Sequence, residues 1–403
     1  TAERTVHLAD AVILCTGGHT KIWKKSSSRK KENTGDGFYL SLKAGCQLKD
    51  MEMVQFHPSG MLFPEEIAGT LVTEAVRGEG GKLINNKGER FMINYDKERM
   101  ELSTRDKVAI ANYTEIAEGR GTPSGGVYLD ISHLSKDLIM QKIPSIYRQF
   151  LDAQMLDISK EPMEVAPTAH YSMGGIVISP TEHCTSISGL YAAGEVAGGL
   201  HGANRLGGNS LAEILIFGKK AGIASVSYSN QLKAQIRSDE SIKNAHENIN
   251  KFLNKGTELA KPLQHELSNV MWKHCGVIKD KKSLKSGLEK IKSIRNIIKD
   301  VDVRIDYQSC DDLVQVFDLE SSAISAEATI LSALNREESR GSHQRSDYPE
   351  LNPFEKCNYH VKLNTQTFDL EISKNNISPL RKDLQNILSK TTKVLNLKGK
   401  LLE

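Results

Sequence analysis

The sequence predicts an α/β fold in which an incomplete, doubly wound domain is interrupted by an inserted α+β domain and followed by a helical domain. Two short apolar runs, at residues 11–15 and 190–194, reach glycines, a pattern typical of buried parallel strands. Between them, residues 58–167 mix short strand patterns with one clear helix. Residues 240–340 then place apolar side chains at helical spacing, which favours antiparallel helices packed on their apolar faces.

The first part of the chain carries a loop, a helix and a strand. Residues 21–33 are basic and rich in serine, which predicts a solvated surface loop, with docking to an acidic partner as the alternative. The glycine-containing residues 35–37 open a helix that stops at Gly45, and residues 51–56 follow as a strand.

The inserted block is predicted to contain several strands and a helix. Short apolar runs predict strands at residues 69–76, 81–86, 90–93 and 125–131. The helix begins with Ser103 or Thr104 as its N-cap and stops near Gly119.

Helices dominate the later part of the chain. One starts at Asn209 after a glycine-rich loop, and another carries apolar positions over residues 263–271. Ser283 is predicted to cap the next, and a long helix covers about residues 313–336. The tail is predicted to hold a hairpin at residues 358–372 and a basic final helix.

Composition excludes several classes of function. A net charge of +3 over 403 residues argues against nucleic acid as the main partner. The six cysteines are scattered without a CxxC pair, which supports neither a zinc site nor a disulfide framework and favours a reducing compartment. No apolar run approaches the roughly 18 residues that span a membrane, so we expect any membrane association to come through a partner.

Five segments combine cations, hydroxyl groups and glycines beyond the needs of a core: residues 55–60, 73–80, 103–106, 170–175 and 194–211. Taken alone, His57 and His170 also fit structural histidines, and Glu74 with Arg77 fits an ordinary ion pair. Arg105 lies in a first helical turn, where a cation opposes the macrodipole, and such violations are enriched at functional sites. The fifth segment joins a strand end, a glycine-rich loop and a helix N-terminus, which suits an anion or cofactor.

In combination, these segments and one later motif resemble the succinate dehydrogenase/fumarate reductase flavoprotein family. The family pattern is QFHP[TS]G, TExxRGEGG, [ST]RD, HYxMGGI and GLYAAGE…HGANRLGGNSL, followed by ESRGxHxRxD[YF]P. All six motifs occur here in that order between residues 55 and 349, and the resemblance covers about residues 1–350.

The resemblance implies a domain organisation and a cofactor. An FAD-binding, Rossmann-like domain would comprise residues 1–57 and 168–225, with an inserted capping domain at 58–167, a helical domain at 240–345 and a tail at 346–403. The dicarboxylate substrate would lie between the FAD-binding and capping domains. The residues implied to contact FAD are Thr16, Gly17, Gly18, Asp36, Glu195, Ser210 and Leu211.

The resemblance also implies an oxidoreductase that interconverts succinate and fumarate by hydride transfer to or from flavin N5. The residues implied for substrate are His170 with Arg205 for one carboxylate and His57 with Thr73 for the other. Arg105 would donate or accept the proton, with a relay through Glu74 and Arg77. Family members work with an iron–sulfur subunit joined to a membrane anchor, so we expect a cytoplasmic protein peripheral to the membrane.

Some features depart from the family pattern. The glycine fingerprint that cradles the FAD pyrophosphate is missing, and the chain starts at Thr1 within a strand pattern, so we expect the C-terminal two-thirds of a longer protein. After Pro349 the chain no longer follows the motifs. Two alternatives stay open: L-aspartate oxidase, which shares most of the motifs, and a non-catalytic fragment or assembly scaffold.

Overall fold

A computed structural model describes residues 4–29, 32–234, 238–253, 255–304 and 310–387. Within these residues the strands are β1 (Val12–Leu14), β2 (Gln47–Lys49), β3 (Val54–Met61), β4 (Lys82–Ile84), β5 (Val127–Asp130), β6 (Met163–Ser172), β7 (Gly175–Ile176), β8 (Leu190–Ala192), β9 (Ile278–Lys279), β10 (Gln344–Arg345), β11 (Cys357–Leu363) and β12 (Leu370–Asn376). The α-helices are α1 (Asp36–Lys43), α2 (Ala75–Gly78), α3 (Arg105–Ala117), α4 (Lys136–Lys142), α5 (Pro144–Gln154), α6 (Asn209–Gln231), α7 (Asp239–Asn250), α8 (Ala260–His274), α9 (Lys281–Ile297) and α10 (Asp311–Asn335).

The two predicted parallel strands pair with each other. β1 lies parallel to β8, with Val12 opposite Leu190 and Leu14 opposite Ala192, which confirms both strands. The helix α6 follows the glycine-rich loop and packs on this pair through Ala221. Both strands therefore deliver their carboxyl ends to the same edge, where ligands bind in doubly wound sheets.

The inserted block is built on a four-stranded antiparallel sheet in the order β3-β6-β5-β4. Its own core includes Leu83, Val127, Phe150 and Met163, and α3 packs against β3. The long strands β3 and β6 continue beyond this block, because Val54 pairs with Ser172 at their far end. They therefore join the inserted block to the rest of the molecule.

Two of the strands that the sequence predicted in this block do not form. Residues 69–76 form a single bridge to β3, at Leu71, and then enter α2. The turn that leads into α2 is closed by a hydrogen bond from the backbone N–H of Val76 to the Thr73 carbonyl at 3.2 Å. Residues 90–93 enter a 3-10 helix, Phe91–Asn94, in which the consecutive side chains Phe91 and Met92 are both buried, unlike the alternation of a half-buried strand.

The predicted hairpin near residues 358–372 is confirmed. β11 pairs antiparallel with β12 on one edge and with β2 on the other, giving the order β12-β11-β2-β7. Val361 and Leu363 of β11 pack against Leu48 in a shared core. Of the basic final helix, the structure describes residues 382–387, which are helical, and the remainder lies outside the described residues.

The helices α8, α9 and α10 pack together as predicted for this part of the chain. The cap of α9 is Asp280 rather than Ser283: the Asp280 side chain accepts a hydrogen bond from the Ser283 backbone N–H at 2.9 Å. Aspartate and serine are about equally good N-cap residues, so the sequence alone could not decide between Asp280 and Ser283.

In the loop predicted at residues 21–33, of which the structure describes 21–29 and 32–33, several side chains are buried rather than solvated. Ile22 and Trp23 are fully buried, and the indole N–H of Trp23 donates to the Cys275 carbonyl at 2.8 Å. Ser26 forms a bridge with Ala169 of β6. The basic composition therefore misled the prediction, because the two apolar residues within it enter the helical core. The described residues contain no helix that is both long enough and apolar enough to cross a membrane.

Candidate active site

Two irregularities in the β3–β6 pairing bring His57 and His170 together. Gln55 lies opposite Tyr171 and Phe56 opposite Ala169, so His170 has no cross-strand partner and occupies a bulge. A second irregularity follows His57 before pairing resumes at Gly60. Bulges of this kind re-aim side chains beside active sites. The two imidazole rings are 5.5 Å apart, centre to centre, at an angle of 71°.

Both histidines are held neutral by their surroundings. Burial lowers the pKa of His57 well below its ordinary value, and His170, Arg105 and Arg77 lower it further. Burial also lowers the pKa of His170 to about 4, with added effects from Arg205 and Arg105. Because nearby cations disfavour the imidazolium form, a bound dianion would reverse part of this effect and favour protonation.

Thr73 follows a residue that is hydrogen-bonded to Ser59, two positions after His57. The Val72 N–H donates to the Ser59 carbonyl at 2.9 Å, and the Ser59 hydroxyl donates to the Val72 carbonyl at 3.0 Å. Thr73 follows directly, is half-buried, and accepts a long 3.4 Å hydrogen bond from the Ala75 N–H. Its hydroxyl therefore remains able to donate to a ligand.

Arg105, Glu74 and Arg77 form a connected set. The Arg105 Nε and Nη2 atoms lie 2.8 and 2.7 Å from Glu74 Oε2, and Arg77 Nη2 lies 3.6 Å from Glu74 Oε1. Arg77 is buried with its Nε unbonded, whereas 47% of the Glu74 side chain is exposed. Glu74 thus connects two guanidinium groups to solvent.

The position of Arg105 in its helix is explained by this pairing. Thr104 is the N-cap of α3 but makes no side-chain capping hydrogen bond, and Ser103 donates its hydroxyl to Asp96 at 2.6 Å instead. A cation in the first turn costs about 0.3–1 kcal/mol against the macrodipole. The carboxylate of Glu74 offsets this cost.

Arg205 lies on the opposite side of the cluster, 5% exposed, with its guanidinium carbon 4.4 Å from the centre of the Tyr171 ring. Its Nη2 donates to Gln55 Oε1 at 3.0 Å, and its Nε is buried without a hydrogen-bond partner. No ion pair within the described residues includes Arg205, and burial and Arg105 lower its pKa. Such a guanidinium is suited to bind a carboxylate.

The late ESRG motif supports the loop that carries Arg205. The Ser342 backbone N–H and hydroxyl donate to the Ala203 carbonyl at 2.9 and 3.0 Å. Gly341 has φ +55°, and a Cβ there would lie 2.4 Å from the same carbonyl oxygen. Glycine is therefore required for this close approach.

A cavity of about 300 Å³ lies beside the cluster, at the carboxyl ends of β1 and β8. Among the predicted cofactor residues, Gly17, Glu195, Ser210 and Leu211 line it. The first turns of α6 line the cavity, through Ser210, Leu211, Ile214 and Gly218. The N-cap of this helix, Gly208, makes no side-chain hydrogen bond, and the N–H groups of Asn209 and Leu211 donate to the carbonyls of Leu206 and Gly208.

Three predicted cofactor residues shape this edge without lining the cavity. A Cβ on Gly18 would lie 2.5 Å from both Glu195 Oε1 and Ser172 Oγ, and a Cβ on Gly37 would lie 2.0 Å from Thr16 Oγ1. Asp36 begins α1 and accepts the Thr34 hydroxyl at 2.6 Å. The close approach of these segments fits a flavin nucleotide cradle.

Glu195 is the acidic group of the cavity. Its Oε1 accepts the Ser172 backbone N–H at 2.9 Å, and burial raises its pKa to about 7. A carboxyl group poised between its two protonation states can accept from or donate to a ribose hydroxyl. The predicted residues therefore fit FAD.

Sequence reasoning missed several residues of this region. Gln55 and Tyr171 lie within the quoted motifs, so a stricter account of hydrogen-bonding needs could have found them. Ser27, whose hydroxyl is 2.8 Å from His170 Nδ1, lies in the loop predicted to be solvated and carried no signal. The buried Tyr171 hydroxyl donates to Glu213, and His201 Nε2 lies 2.8 Å from the same carboxylate oxygen.

Comparison with known families agrees with this geometry. Residues 1–211 match the model described as FAD binding domain, and residues 264–394 match fumarate reductase flavoprotein C-term. The chain belongs to the succinate dehydrogenase/fumarate reductase flavoprotein family. Its fold class and FAD as its cofactor are thereby confirmed. The expectation that the chain leaves the family pattern after Pro349 is wrong, since the second match extends to residue 394.

The flavoprotein relatives include proteins from archaea and bacteria. One subunit of the fumarate reductase (CoM/CoB) of Methanothermobacter marburgensis is 46% identical over 353 residues, covering 87% of this chain and 63% of that protein. E. coli quinol fumarate reductase FrdA has a TM-score of 0.85 at 31% identity, covering 92% of this chain and 66% of its own. Mycobacterium smegmatis Sdh1, solved with UQ1, has a TM-score of 0.84 at 36% identity. This match covers 95% of the present chain and 65% of the Sdh1 chain. The chain therefore spans a little under two thirds of the length of each.

Proposed function

We propose that the protein is an FAD-dependent oxidoreductase that interconverts fumarate and succinate. The main support is a cluster of two histidines and two arginines contributed by β3, β6, α3 and the loop before α6. The Arg205 Nε atom is buried without a hydrogen-bond partner, and burial and Arg105 lower the pKa of Arg205 although Glu195 and Glu213 act to raise it. A substrate with two carboxylates would place further negative charge beside these groups.

One carboxylate would bind Arg205 and His170. The Arg205 Nε has no hydrogen-bond partner, and its Nη1 makes only 3.4 Å hydrogen bonds, to Leu206 O and Ser210 Oγ. The Nε–H can therefore donate to a carboxylate, on the edge that it shares with Nη2. Arg205 contributes to the lowered pKa of His170, and an anion bound between them would offset this effect.

The other carboxylate would bind His57 and Thr73. The His57 Nδ1 atom lies 3.2 Å from the Ser59 backbone nitrogen and 3.3 Å from the Ser59 carbonyl oxygen, and in the tautomer that accepts from the Ser59 N–H the ring carries its proton on Nε2. That N–H can donate to the carboxylate together with the Thr73 hydroxyl. Clamping both ends of the substrate fixes the alkene and polarises it.

Arg105 would donate or accept the proton at the substrate carbon. An arginine has an intrinsic pKa above about 12, so a donor of this kind needs rapid reprotonation. Glu74 contacts Arg105 directly and is half-exposed, which supports a route from solvent. Arg77, 3.6 Å from Glu74, would keep this carboxylate in place and complete the relay.

FAD would be held by Gly17, Glu195, Ser210 and Leu211 around the cavity, with Thr16, Gly18 and Asp36 shaping its floor. When bound, it supplies or accepts the hydride that the substrate exchanges. The positive end of α6 would stabilise negative charge on the cofactor.

Partners and location follow from the same proposal. Relatives include the 8-methylmenaquinol:fumarate reductase flavoprotein subunit of Wolinella succinogenes, a name that itself indicates one component of a larger enzyme. We therefore propose that an iron–sulfur subunit, together with a membrane anchor, carries electrons to or from this protein. The protein would then lie on the cytoplasmic side, peripheral to the membrane. The division into FAD-binding, capping, helical and tail domains stays part of this proposal.

The decisive assay compares substrates on the FAD-loaded full-length protein. Fumarate with a reduced dye, succinate with an oxidised dye, and L-aspartate with oxygen are tested side by side. Turnover of fumarate and succinate without aspartate oxidation supports the proposal. Aspartate turnover alone would establish the oxidase alternative. A folded protein that takes up no flavin, judged by its visible absorbance, would establish the scaffold alternative.

A further inference from the structure

Gln55 occupies the centre of the arginine pair. Its Oε1 accepts a hydrogen bond from Arg205 Nη2 at 3.0 Å and a longer one from Arg105 Nη1 at 3.4 Å. Its Nε2 donates to Asn204 Oδ1 at 2.7 Å and to the Arg205 carbonyl at 2.8 Å. The side chain is 1% exposed, so all of its hydrogen-bonding capacity is used inside the protein.

The orientation of this amide follows from its partners. Both arginine groups can only donate, so the oxygen of Gln55 must face them. The Arg205 carbonyl can only accept, so the amide nitrogen must face the loop. If the amide were flipped, its NH2 group would face the arginine donors and its oxygen would face the Arg205 carbonyl. Only one orientation of the amide is therefore possible.

Two dipeptides meet around Gln55. Arg105 and Asp106 come from the start of α3, whereas Asn204 and Arg205 come from the loop before α6. Asn204 Nδ2 donates to Asp106 Oδ1 at 3.0 Å, so the partners of Gln55 are also connected to each other. Gln55 therefore fixes the inserted block relative to the loop that carries Arg205.

The charge of this position matters as much as its geometry. Two guanidinium groups lie close enough that Arg105 lowers the pKa of Arg205, after the larger effect of burial. A carboxylate between them would neutralise one charge and compete with a substrate anion. An amide oxygen orients both groups without adding a negative charge between them, and Arg105 keeps Glu74 as its ion-pair partner.

We propose that Gln55 is a positioning residue, which sets the spacing of Arg105 and Arg205 and adds no negative charge that would compete with the substrate for them. This inference rests on the proposed function, because it assumes that the two arginines serve one dicarboxylate. Gln55 does not exchange a proton or contact the reacting carbon. Its effect passes entirely through the two guanidinium groups.

The test compares a charged and an apolar replacement in the FAD-loaded full-length protein. Gln55→Glu keeps the shape of the side chain and adds a charge, and Gln55→Met keeps the length and removes both hydrogen-bonding groups. Gln47→Glu on β2, whose side chain contacts His360, is the matched control outside the site. Fumarate binding to the oxidised protein is measured by calorimetry, and fumarate turnover is measured separately.

We expect Gln55→Glu to weaken fumarate binding at least tenfold, because the new carboxylate occupies the arginines. Gln55→Met is expected to weaken binding less than Gln55→Glu but to lower kcat at least tenfold, since Arg105 loses its fixed position. Gln47→Glu should match the unaltered protein in both measurements. A purely structural role for Gln55 would not separate binding from kcat in this way.

Two results would overturn the inference. Equal effects of Gln55→Glu and Gln55→Met on the fumarate dissociation constant would show that charge at this position is irrelevant. Normal binding and kcat in Gln55→Met would show that positioning is irrelevant, even if Gln55→Glu fails to fold. If the unaltered protein neither binds nor reduces fumarate, the proposed function fails and the inference fails with it. If the unaltered protein does both and the Gln55 variants give one of the two results above, only the inference fails.

Discussion

Arg205 lies over the face of Tyr171, with its guanidinium carbon 4.4 Å from the ring centre. The Tyr171 hydroxyl donates to Glu213 on α6, and the ring also lines the cofactor cavity. One aromatic side chain therefore contacts Arg205, which we propose to bind a carboxylate, and also lines the cavity proposed for the cofactor. Tyr171 thus connects the proposed substrate site with the proposed cofactor site.

Removal of the Tyr171 ring should weaken substrate binding. A cation–π contact of about 0.5–2 kcal/mol predicts a roughly 2- to 30-fold increase in the fumarate dissociation constant for Tyr171→Leu. Tyr171→Phe is the matched variant, because it keeps the ring and loses only the hydroxyl. It should retain most of the affinity in calorimetry. Equal losses in both variants would assign the effect to the hydroxyl rather than to the ring.

Fumarate binding should take up protons. His170 is neutral in the free protein with a pKa of about 4, and the pKa of His57 is lowered well below its ordinary value. A bound dianion raises both pKa values, so binding strengthens as pH falls from the pKa of the complex towards that of the free site, and levels off below it. Calorimetry of the oxidised protein at about pH 6.5, in buffers of different ionisation enthalpy, measures this uptake.

The exposed histidine at position 265 is the control for this measurement. His265→Gln should leave proton uptake unchanged, whereas His170→Gln should reduce it. Binding without proton uptake in the unaltered protein, between about pH 5 and 6.5, would show that neither imidazole responds to the substrate.

Loss of the Glu74 carboxylate should slow turnover more than it weakens binding. Glu74→Gln keeps a hydrogen-bond acceptor for Arg105 but removes the group that returns the proton. Because positioned acid–base groups contribute about 10²–10⁴-fold, we expect kcat for fumarate to fall by at least tenfold. The exposed Glu66 lies in a neighbouring segment, and Glu66→Gln should behave as the unaltered protein. A normal kcat in Glu74→Gln would remove Glu74 from the proton route.

Trp23 should be a major stability determinant despite its basic, serine-rich surroundings. It is 1% exposed, donates to the Cys275 carbonyl, and meets the ring of Phe56 edge to face at 5.9 Å between centres. Trp23→Ala should lower the free energy of unfolding by about 3–5 kcal/mol. Denaturant unfolding of the FAD-loaded protein measures the change, and a loss below about 1 kcal/mol would contradict the tight packing of this indole.

The outline of the fold could be predicted because its signals are local. The runs that became β1 and β8 are apolar and end in glycine, and the α8–α10 helices carry regular apolar spacing. The loop containing Trp23 could not be predicted, because its burial depends on Cys275, which lies 252 residues away in the chain. The composition of a segment indicates how polar it is, but it carries no information on partners that lie so far away in the sequence.

The candidate site shows the same division. The ordered motifs, rather than any single residue, singled out His57, His170, Arg105 and Arg205 as candidate site residues. Their meeting depends on bulges in the β3–β6 pairing, which are set by tertiary packing. Gln55 lies within one of the motifs, but the role proposed for it depends on four hydrogen bonds to residues that are distant in the sequence.

The central claim is that Arg105 moves the proton while other residues bind the substrate, and one comparison tests it most directly. Fumarate reduction and fumarate binding are measured for the unaltered FAD-loaded full-length protein and for Arg105→Lys. We predict turnover in the unaltered protein, a fall in kcat of at least about 100-fold in Arg105→Lys, and a dissociation constant that changes by less than about threefold. Near-normal turnover in Arg105→Lys, or no fumarate reduction by the unaltered protein, would contradict the claim.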